Sequence, residues 1–452
     1  MERKDQALSN KLLWKASPLI EWMQCKDEGR DVERLHALAK EIEEHEYTTD
    51  SSFGEAAAAL VGELENALIL PDFPYDEPNE LEAIRAARPA KRHELPQMTL
   101  GEDDLLRRWR GAWEGRMAGC LLGKPVEGMR SPTLNKFLEL TNNYPMNRFI
   151  RKSDFSEQVI AEINPWMDSC WGDNVANGFP VDDDLNYTVF AMDLIRRRGK
   201  AFTSEDVIGG WCGRIPAFAT FTAERVAYRN YIAGVPVPAC GSYYNPYREY
   251  IGAQIRVDYY GYIHPGNPEM AAEMAWRDAR VSHVKNGIYG AMFIAALIAA
   301  AAVTDSPLAA IEAGLDEIPE KCRLRMYVDK VIALWKEGRP WEDAYHTVQQ
   351  DFDEFTDYGW CHAAANCMIV AAALLWGGGD YGKSVCLAVQ HAYDTDCNGA
   401  TVGSIIGMMK GIDAVSEEWR TPCRGIINTI VYGKGRVTVD DMVKATLDAY
   451  RL

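Results

Sequence analysis

Residues 399–411 read GATVGSIIGMMKG, and residues 111–123 read GAWEGRMAGCLLG. In both stretches glycine recurs at every fourth position, so four glycines line one face of each predicted helix. A glycine inside a helix costs about 1 kcal/mol relative to alanine, so such a stripe needs a compensating gain. Close approach of two helix backbones supplies that gain. We therefore predict that both helices lie at the centre of a helical domain, packed against each other or in two separate tight contacts.

Outside these two helices the pattern is also largely helical, and strand-like alternation is scarce. The best candidate for a strand is QIRVDYYGYI at residues 254–263, which could also be an extended loop. The longest apolar run, IYGAMFIAALIAAAAV at residues 288–303, is short for a membrane span and rich in alanine, which indicates a buried core helix. The predicted fold class is all-α.

The first 98 residues differ in composition from the rest of the chain. Residues 1–70 have the pattern of two or three amphipathic helices, with apolar residues at helical spacing in DVERLHALAKEIEEHE (31–46) and a similar pattern in residues 51–70. Residues 71–98 contain five prolines among charged residues, which is typical of a linker or a loosely docked arm. We predict a helical extension and Pro-rich linker over residues 1–98 and a compact multi-helix domain over residues 99–452.

The composition of the chain limits the classes of protein to which it can belong. The chain has 452 residues, 47% of them hydrophobic, so it can bury a sizeable core. Its net charge of −18 repels phosphate backbones and disfavours nucleic acid as a partner. The eleven cysteines include no C-x-x-C pair, and the start MERKDQALSN lacks an apolar signal core. These features predict a soluble, cytoplasmic protein with no membrane partner, and they leave its oligomeric state open.

Two acidic clusters carry the candidate chemistry. Asp182, Asp183 and Asp184 stand in a row before an apolar helical pattern, at a predicted helix N-terminus. A single aspartate there is commonly a helix cap. Three adjacent aspartates repel each other, and a hard divalent cation would remove that repulsion. The second cluster, Asp394 and Asp396, directly precedes the glycine stripe at residues 399–411.

The second cluster has two familiar interpretations that the sequence does not support. The spacing of DTDCNG (394–399) matches the start of an EF-hand loop, but the closing glutamate would fall at Ile405. A phosphatase-type D-x-D follows a strand, whereas KSVCLAVQHAY (383–393) is predicted to be helical. The remaining interpretation is that both clusters converge and hold one or two Mg²⁺ or Mn²⁺ ions through oxygen ligands.

Taken together, the motifs resemble those of the ADP-ribosylglycohydrolase family. Three of them occur in the order found in that family: GRMAGCLLGKPVEGM (115–129), VDDDLNY (181–187) and DTDCNGATVG (394–403). YIGAQIR (250–256) resembles the loop near the substrate phosphates, and ARVSHVKNGIYG (279–290) resembles the segment with a substrate-facing histidine. The resemblance leaves residues 1–98 uncovered.

The resemblance implies an all-α fold with a cleft that binds two Mg²⁺ ions, with Mn²⁺ as an alternative, and cleaves the glycosidic bond at the anomeric carbon of ADP-ribose. Its substrate would be a small molecule or an ADP-ribosylated partner. The implied metal ligands are Asp182, Asp183, Asp184, Asp394 and Asp396. The implied catalytic residues are Glu127, Asp183 and Asp184, and Glu127 could equally serve as a ligand or gate. The implied substrate contacts are Arg248, Tyr250, Gly252, Gln254, His283 and Asn398.

Three departures from the family pattern keep alternatives open. Asp182 stands in place of a threonine, Cys397 stands in place of the threonine that closes D-x-D-T, and REYIG (248–252) replaces a run of glycine and asparagine. Sulfur is a poor Mg²⁺ ligand. The alternatives are a smaller ribosyl substrate, a glycosidase acting on a non-nucleotide sugar, and a protein that binds a nucleotide or sugar without cleaving it. Arg248 could form ordinary salt bridges, and His283 could be a satisfied core histidine.

Overall fold

The computed structural model describes residues 17–45, 52–163, 170–173, 175 and 177–452. Helices dominate these residues, and their strands form one two-stranded antiparallel ladder. The predicted all-α fold class is therefore confirmed. Any helix predicted within residues 1–16 lies outside the described residues.

The helices and strands are numbered in chain order. Before residue 99 they are α1 (Pro18–Asp27), α2 (His36–Glu44), α3 (Ser52–Glu65) and α4 (Leu81–Ala87). The next group is α5 (Glu102–Gly123), α6 (Ser131–Leu140), α7 (Glu157–Ile163), α8 (Asp183–Arg198), α9 (Ser204–Arg214) and α10 (Thr222–Ile232). It is followed by α11 (Asp258–Tyr262), α12 (Pro268–Ala279), α13 (Lys285–Ala301), α14 (Pro307–Leu315), α15 (Arg323–Lys336) and α16 (Trp341–Asp351). The last group is α17 (Ala363–Gly377), α18 (Tyr381–Gln390), α19 (Thr395–Lys410), α20 (Glu417–Arg420), β1 (Ile426–Asn428), β2 (Arg436–Thr438) and α21 (Val439–Tyr450).

The two glycine-striped helices, α5 and α19, pack against each other more extensively than any other pair of described elements. A methyl group on Gly115 would overlap the carbonyl oxygen of Gly403, and one on Gly119 would overlap that of Gly399. The same overlaps arise when the methyl group is placed on the α19 partner. The absent side chains therefore let the two backbones touch, and the prediction that these helices pack against each other is confirmed.

The rest of the core is helical as well. α13 is almost entirely buried, as predicted for the apolar run at residues 288–303. No helix among the described residues has both the length and the apolar character needed to cross a bilayer. The prediction of a strand or extended loop at residues 254–263 is wrong, because this stretch lies in a 3₁₀-helix (Ile251–Arg256) and in α11. Its aromatic side chains are all buried rather than alternately buried and exposed.

The N-terminal extension has its own apolar cluster, distinct from the main core. Side chains of α1, α2 and α3 contribute to it, among them Trp22, Ile42 and Leu60. The arm at residues 71–98 is docked rather than loose. Glu77 Oε2 lies 2.7 Å from Nη2 of a buried arginine, Arg323, and the arm also adds α4 to the surface of the helical domain.

Candidate active site

The packing of α5 against α19 sets the position of the acidic residues. Asp394 and Asp396 lie at the start of α19, where the Thr395 hydroxyl donates a hydrogen bond to the Gly123 carbonyl at the end of α5 (2.9 Å). The three aspartates at residues 182–184 lie at the start of α8. Residues of both acidic segments line one cavity of about 420 Å³. The structure therefore brings together the two clusters that the sequence places more than 200 residues apart.

The cavity is lined by both acidic and apolar side chains. Its acidic lining residues are Glu127, Asp182, Asp183, Glu224, Asp394 and Asp396. Its apolar lining includes Phe221, Ile251, Ile255 and Trp360, and the Trp360 ring lies 4.9 Å from the Arg130 guanidinium. Among the described residues that line it, Lys124 is the one basic side chain. A ligand that has both oxygen-rich and flat or apolar parts matches this lining.

The carboxylates form two adjacent groups that could hold metal ions. Ligand atoms lie within 4.8 Å of one another in the group Cys120, Asp182, Asp184 and Asp396, and also in the group Asp394, Asp396 and Cys397. Three of the buried oxygens, Asp184 Oδ2, Asp394 Oδ1 and Asp396 Oδ1, have no hydrogen-bond partner among the described residues. Buried polar atoms are almost always satisfied, and free carboxylate oxygens are what a hard divalent cation binds. The donor set therefore fits Mg²⁺ or Mn²⁺.

Crowding and burial of these acids raise their pKa values. Repulsion from Asp396, followed by burial, raises the pKa of Glu127 to about 10. Burial, followed by the charges of Asp182 and Asp396, raises the pKa of Asp183 well above its usual value. Burial and the charge of Asp396 do the same to the pKa of Asp394. Protons therefore compete with cations for these carboxylates, and bound cations would displace them.

Two basic residues that the sequence analysis did not single out belong to the site. Arg116, buried on α5, places Nη2 2.9 Å from Asp184 Oδ1 and Nη1 2.8 Å from Asp258 Oδ2. Lys124 follows α5 and places Nζ 2.7 Å from Asp182 Oδ2. Both lie in GRMAGCLLGKPVEGM (115–129), and a basic residue at each end of the apolar run MAGCLLG (117–123) was the available signal.

A family model for ADP-ribosylglycohydrolase matches residues 101–451 of the chain. The chain belongs to the ADP-ribosylglycohydrolase family. The family resemblance of the motifs is thereby confirmed, and membership fits hydrolysis of glycosidic bonds in substrates of the ADP-ribose type. No curated protein matches the chain. A solved structure titled "ADP-ribosylglycohydrolase-related protein complex" is similar over 77% of this chain and 99% of its own, with 17% sequence identity and a TM-score of 0.45.

Of the substrate contacts implied by the ADP-ribosylglycohydrolase family, Gly252 lines the cavity. Tyr250, Gln254 and Asn398 do not line it, and each hydrogen-bonds inside the protein. The Tyr250 hydroxyl donates to the Asp357 carbonyl (2.7 Å), and Asn398 Nδ2 donates to an asparagine oxygen of α17 (2.7 Å). Gln254 Oε1 accepts a hydrogen bond from a cysteine thiol of α17. These three side chains are therefore hydrogen-bonded within the protein rather than exposed to the cavity.

The other two implied substrate contacts are also buried away from the cavity. His283 Nδ1 lies 2.8 Å from Ser282 Oγ, and burial lowers the pKa of His283 well below its usual value. Arg248 Nη1 lies 2.7 Å from Glu21 Oε2, and its Nε lies 2.9 Å from Glu28 Oε1. The salt-bridge alternative therefore describes Arg248, because the N-terminal extension occupies its guanidinium and leaves the substrate no contact with it.

Proposed function

We propose that the chain hydrolyses the glycosidic bond at the anomeric carbon of ADP-ribose or a related ribosyl compound, with a divalent cation bound at the acidic site. The observation that carries the proposal is the convergence of Asp182–Asp184, Asp394 and Asp396 around one cavity that Glu127 also lines. Family membership supplies the reaction class, and the unpartnered carboxylate oxygens supply the reason for a cation.

The residues that would hold Mg²⁺, or Mn²⁺ in its place, are those with free, buried oxygens: Asp184, Asp394 and Asp396. When bound, the cation supplies positive charge that neutralises the crowded acids and polarises the oxygens of a sugar diol. Arg116 keeps Asp184 in place from the opposite side, because its guanidinium binds the other oxygen of that carboxylate. Asp184 is completely buried, so its role is that of a ligand rather than a proton carrier.

Glu127 and Asp183 are the residues placed to move a proton. Both line the cavity, and both are only half-buried. In the reaction, water adds to the anomeric carbon while the glycosidic bond breaks and its electron pair leaves with the leaving group. One of these carboxylates accepts the proton of the attacking water. Glu127 becomes available for this once the charges of Asp396 and Asp182, which hold its proton in place, are compensated.

One observation favours a second candidate substrate. Lys124, the basic lining residue, is already paired with Asp182, and Arg248 is occupied by the N-terminal extension. A pyrophosphate would carry its charge into an acidic cavity with no unpaired basic group among the described lining residues. A ribosyl compound or another glycoside without phosphate avoids this repulsion, and Phe221 and Trp360 offer it apolar contact.

The first experiment tests hydrolysis and its dependence on a cation. Product release from ADP-ribosyl-arginine, ADP-ribosyl-serine peptides, nucleosides and simple glycosides is measured with Mg²⁺ and with EDTA. We expect activity on at least one of these substrates with Mg²⁺ and its loss in EDTA. Asp396→Asn should abolish activity, and Asp183→Asn and Glu127→Gln should each lower kcat by about 10²- to 10⁴-fold if they carry the proton. Asp305→Asn, at an exposed aspartate outside the site, is the matched control.

Two outcomes would contradict the proposal. Full activity of folded Asp396→Asn in EDTA would remove the role of the acidic site. Tight binding of ADP-ribose by calorimetry, without product from any member of the panel, would assign the chain to the non-catalytic alternative. Activity confined to phosphate-free substrates would select the second candidate.

A further inference from the structure

Both carboxylate oxygens of Asp182 already have donors. Oδ1 accepts a hydrogen bond from the backbone N–H of Asp184 (3.0 Å) and one from the Cys120 thiol (3.5 Å). Oδ2 accepts from Lys124 Nζ at 2.7 Å, and Asp182 is 5% exposed. Each carboxylate oxygen of Asp182 thus has at least one donor without a metal ion.

The neighbouring acids, by contrast, have carboxylate oxygens without a hydrogen-bond donor. Asp184 Oδ2, Asp394 Oδ1 and Asp396 Oδ1 are buried without a hydrogen-bond partner among the described residues. Asp396 belongs to both groups of close ligand atoms, with Asp184 on one side and Asp394 on the other. The unpartnered oxygens therefore collect around Asp396, whereas the ammonium of Lys124 sits at Asp182.

We infer that the Lys124 ammonium takes the place of one of two cations, so that the site binds a single divalent ion, held through Asp394 and Asp396. This inference rests on the proposed function for the presence of any ion. It differs from the two-ion site that the motif resemblance implies.

The physical reason is the cost of placing a second divalent charge beside a fixed ammonium. Lys124 directly follows α5, whose glycines are locked against α19, so its backbone cannot easily withdraw from the acids. Like charges a few ångströms apart repel strongly in a site shielded from water. The group of close ligand atoms that contains Asp182 also includes Cys120, whose thiol acts as a donor to Asp182 and is a poor ligand for Mg²⁺. The Lys124 ammonium supplies a permanent positive charge that a chelator cannot remove.

The decisive measurement is the number of ions bound by the full-length chain. Protein stripped with EDTA and dialysed is titrated with Mn²⁺ by calorimetry, and the bound Mn²⁺ is examined by electron paramagnetic resonance. We expect one Mn²⁺ per chain with the spectrum of an isolated ion. Lys124→Gln frees the Asp182 oxygen and should bind two Mn²⁺ ions with the broadened spectrum of a coupled pair. Lys136→Gln, at an exposed surface lysine, should still bind one.

A second pair of variants covers the case in which Lys124→Gln fails to fold. Asp182→Asn should leave one ion bound with affinity lowered by about tenfold or less, whereas Asp394→Asn should lower it by more than about 100-fold. Two ions in the wild-type chain, or equal loss in both aspartate variants, would overturn the inference, as would a single ion in folded Lys124→Gln. Two bound ions together with Mg²⁺-dependent hydrolysis would overturn this inference alone. No bound ion and no hydrolysis would overturn the proposed function with it.

Discussion

Two parts of the cavity wall are held in place by different interactions, backbone contact in one and buried ion pairs in the other. The glycine seam, defined as Gly111, Gly115, Gly119 and Gly123 of α5 with Gly399, Gly403 and Gly407 of α19, positions the carboxylates through backbone contact. The ion-pair wall, defined as Arg248, Arg256 and Arg323 with their acidic partners, supports the facing side. Ile251, Gly252 and Ile255 of that side line the cavity and lie between Arg248 and Arg256 in the chain.

The ion-pair wall joins segments that are distant in sequence. Arg256 Nε lies 2.7 Å from Asp278 Oδ1, and its Nη1 bonds to Glu224, itself a lining residue of the cavity. Arg323 Nη2 lies 2.8 Å from Glu249 Oε1, and its other partners come from the N-terminal 98 residues. The extension, which the family match does not cover, therefore completes this wall.

The two sides should be disrupted by different kinds of substitution. The glycine seam contains no side chain that could move aside, so it fails by steric overlap and is indifferent to charge. The ion-pair wall is made of buried charges, whose removal one at a time leaves an uncompensated partner. Steric changes should therefore break the first side, and charge changes should break the second.

The largest effect is expected at the centre of the glycine seam. Gly119→Val places a branched side chain against the Gly399 carbonyl, where backbone atoms cannot give way. We expect a loss of more than about 3 kcal/mol in the free energy of unfolding, beyond the usual range for an overpacked core. The yield of soluble protein and urea unfolding followed by circular dichroism measure it.

The matched control is a helical glycine with free space around it. Gly213, in α9, is exposed, and a methyl group added there meets no atom within 4 Å. Gly213→Ala should therefore raise the free energy of unfolding, by up to about 1 kcal/mol, through helix propensity alone. Equal losses in the two variants would mean that backbone contact between α5 and α19 is not what the glycines provide.

The glycine seam could be predicted from the sequence because its glycines recur every four residues within a single helix. Four-residue spacing within one helix is visible in a short window, and the same holds for the clustered aspartates at the start of α8 and of α19. The convergence of those aspartates followed from the family resemblance and from their shared chemistry. The prediction for residues 254–263 was wrong because a short helix with aromatic side chains buried on every side has a sequence pattern similar to that of a strand.

The ion-pair wall was not predictable by the same route. Arg248 lies in a segment that resembles a substrate loop, and nothing near it in the chain shows that Glu21 and Glu28 neutralise it. Partners more than 200 residues apart leave no periodic signal. Lys124 was missed for a related reason, because its partner Asp182 belongs to a separate motif.

The second prediction breaks the ion-pair wall at Arg248. Arg248→Met keeps much of the side-chain volume but leaves Glu21 and Glu28 buried without their main cation. Removing one partner of a buried pair costs about 3–5 kcal/mol, so we expect a loss of that size and detachment of α1. Urea unfolding measures the first, and the rate of proteolysis within residues 17–45 measures the second.

An exposed pair in the same extension serves as the control for charge. Arg34 pairs with Glu63, and both side chains are about half exposed or more. Arg34→Ala should change stability by no more than about 1 kcal/mol. If Arg248→Met behaved like Arg34→Ala, the buried charges would not be what holds the extension to the wall.

The smallest effects are those expected from a change of one pH unit, and the two sides should respond in opposite directions. Burial opposes ionisation of Glu249, but Arg323 and His362 outweigh it and lower its pKa to about 2. Its stabilising contribution is therefore complete above its unfolded pKa of about 4.5 and is lost as the pH falls towards 2. Glu127, with its pKa raised to about 10, contributes stability that is complete below about 4.5 and is lost as the pH rises through 10.

Hydrogen exchange with mass spectrometry can follow both sides in one metal-free sample. Below about pH 4.5, peptides from residues 17–28 and from residues 245–252 should lose protection first, because the ion-pair wall is being protonated. Between about pH 5 and 9, peptides from residues 123–129 and 394–403 should lose protection instead, by at most about 1.4 kcal/mol per pH unit for each proton released. Saturating Mg²⁺ should remove the alkaline loss and leave the acid loss unchanged, because the cation replaces protons only at the carboxylate site. An alkaline loss that Mg²⁺ does not reverse would show that the crowded acids are not the groups responsible.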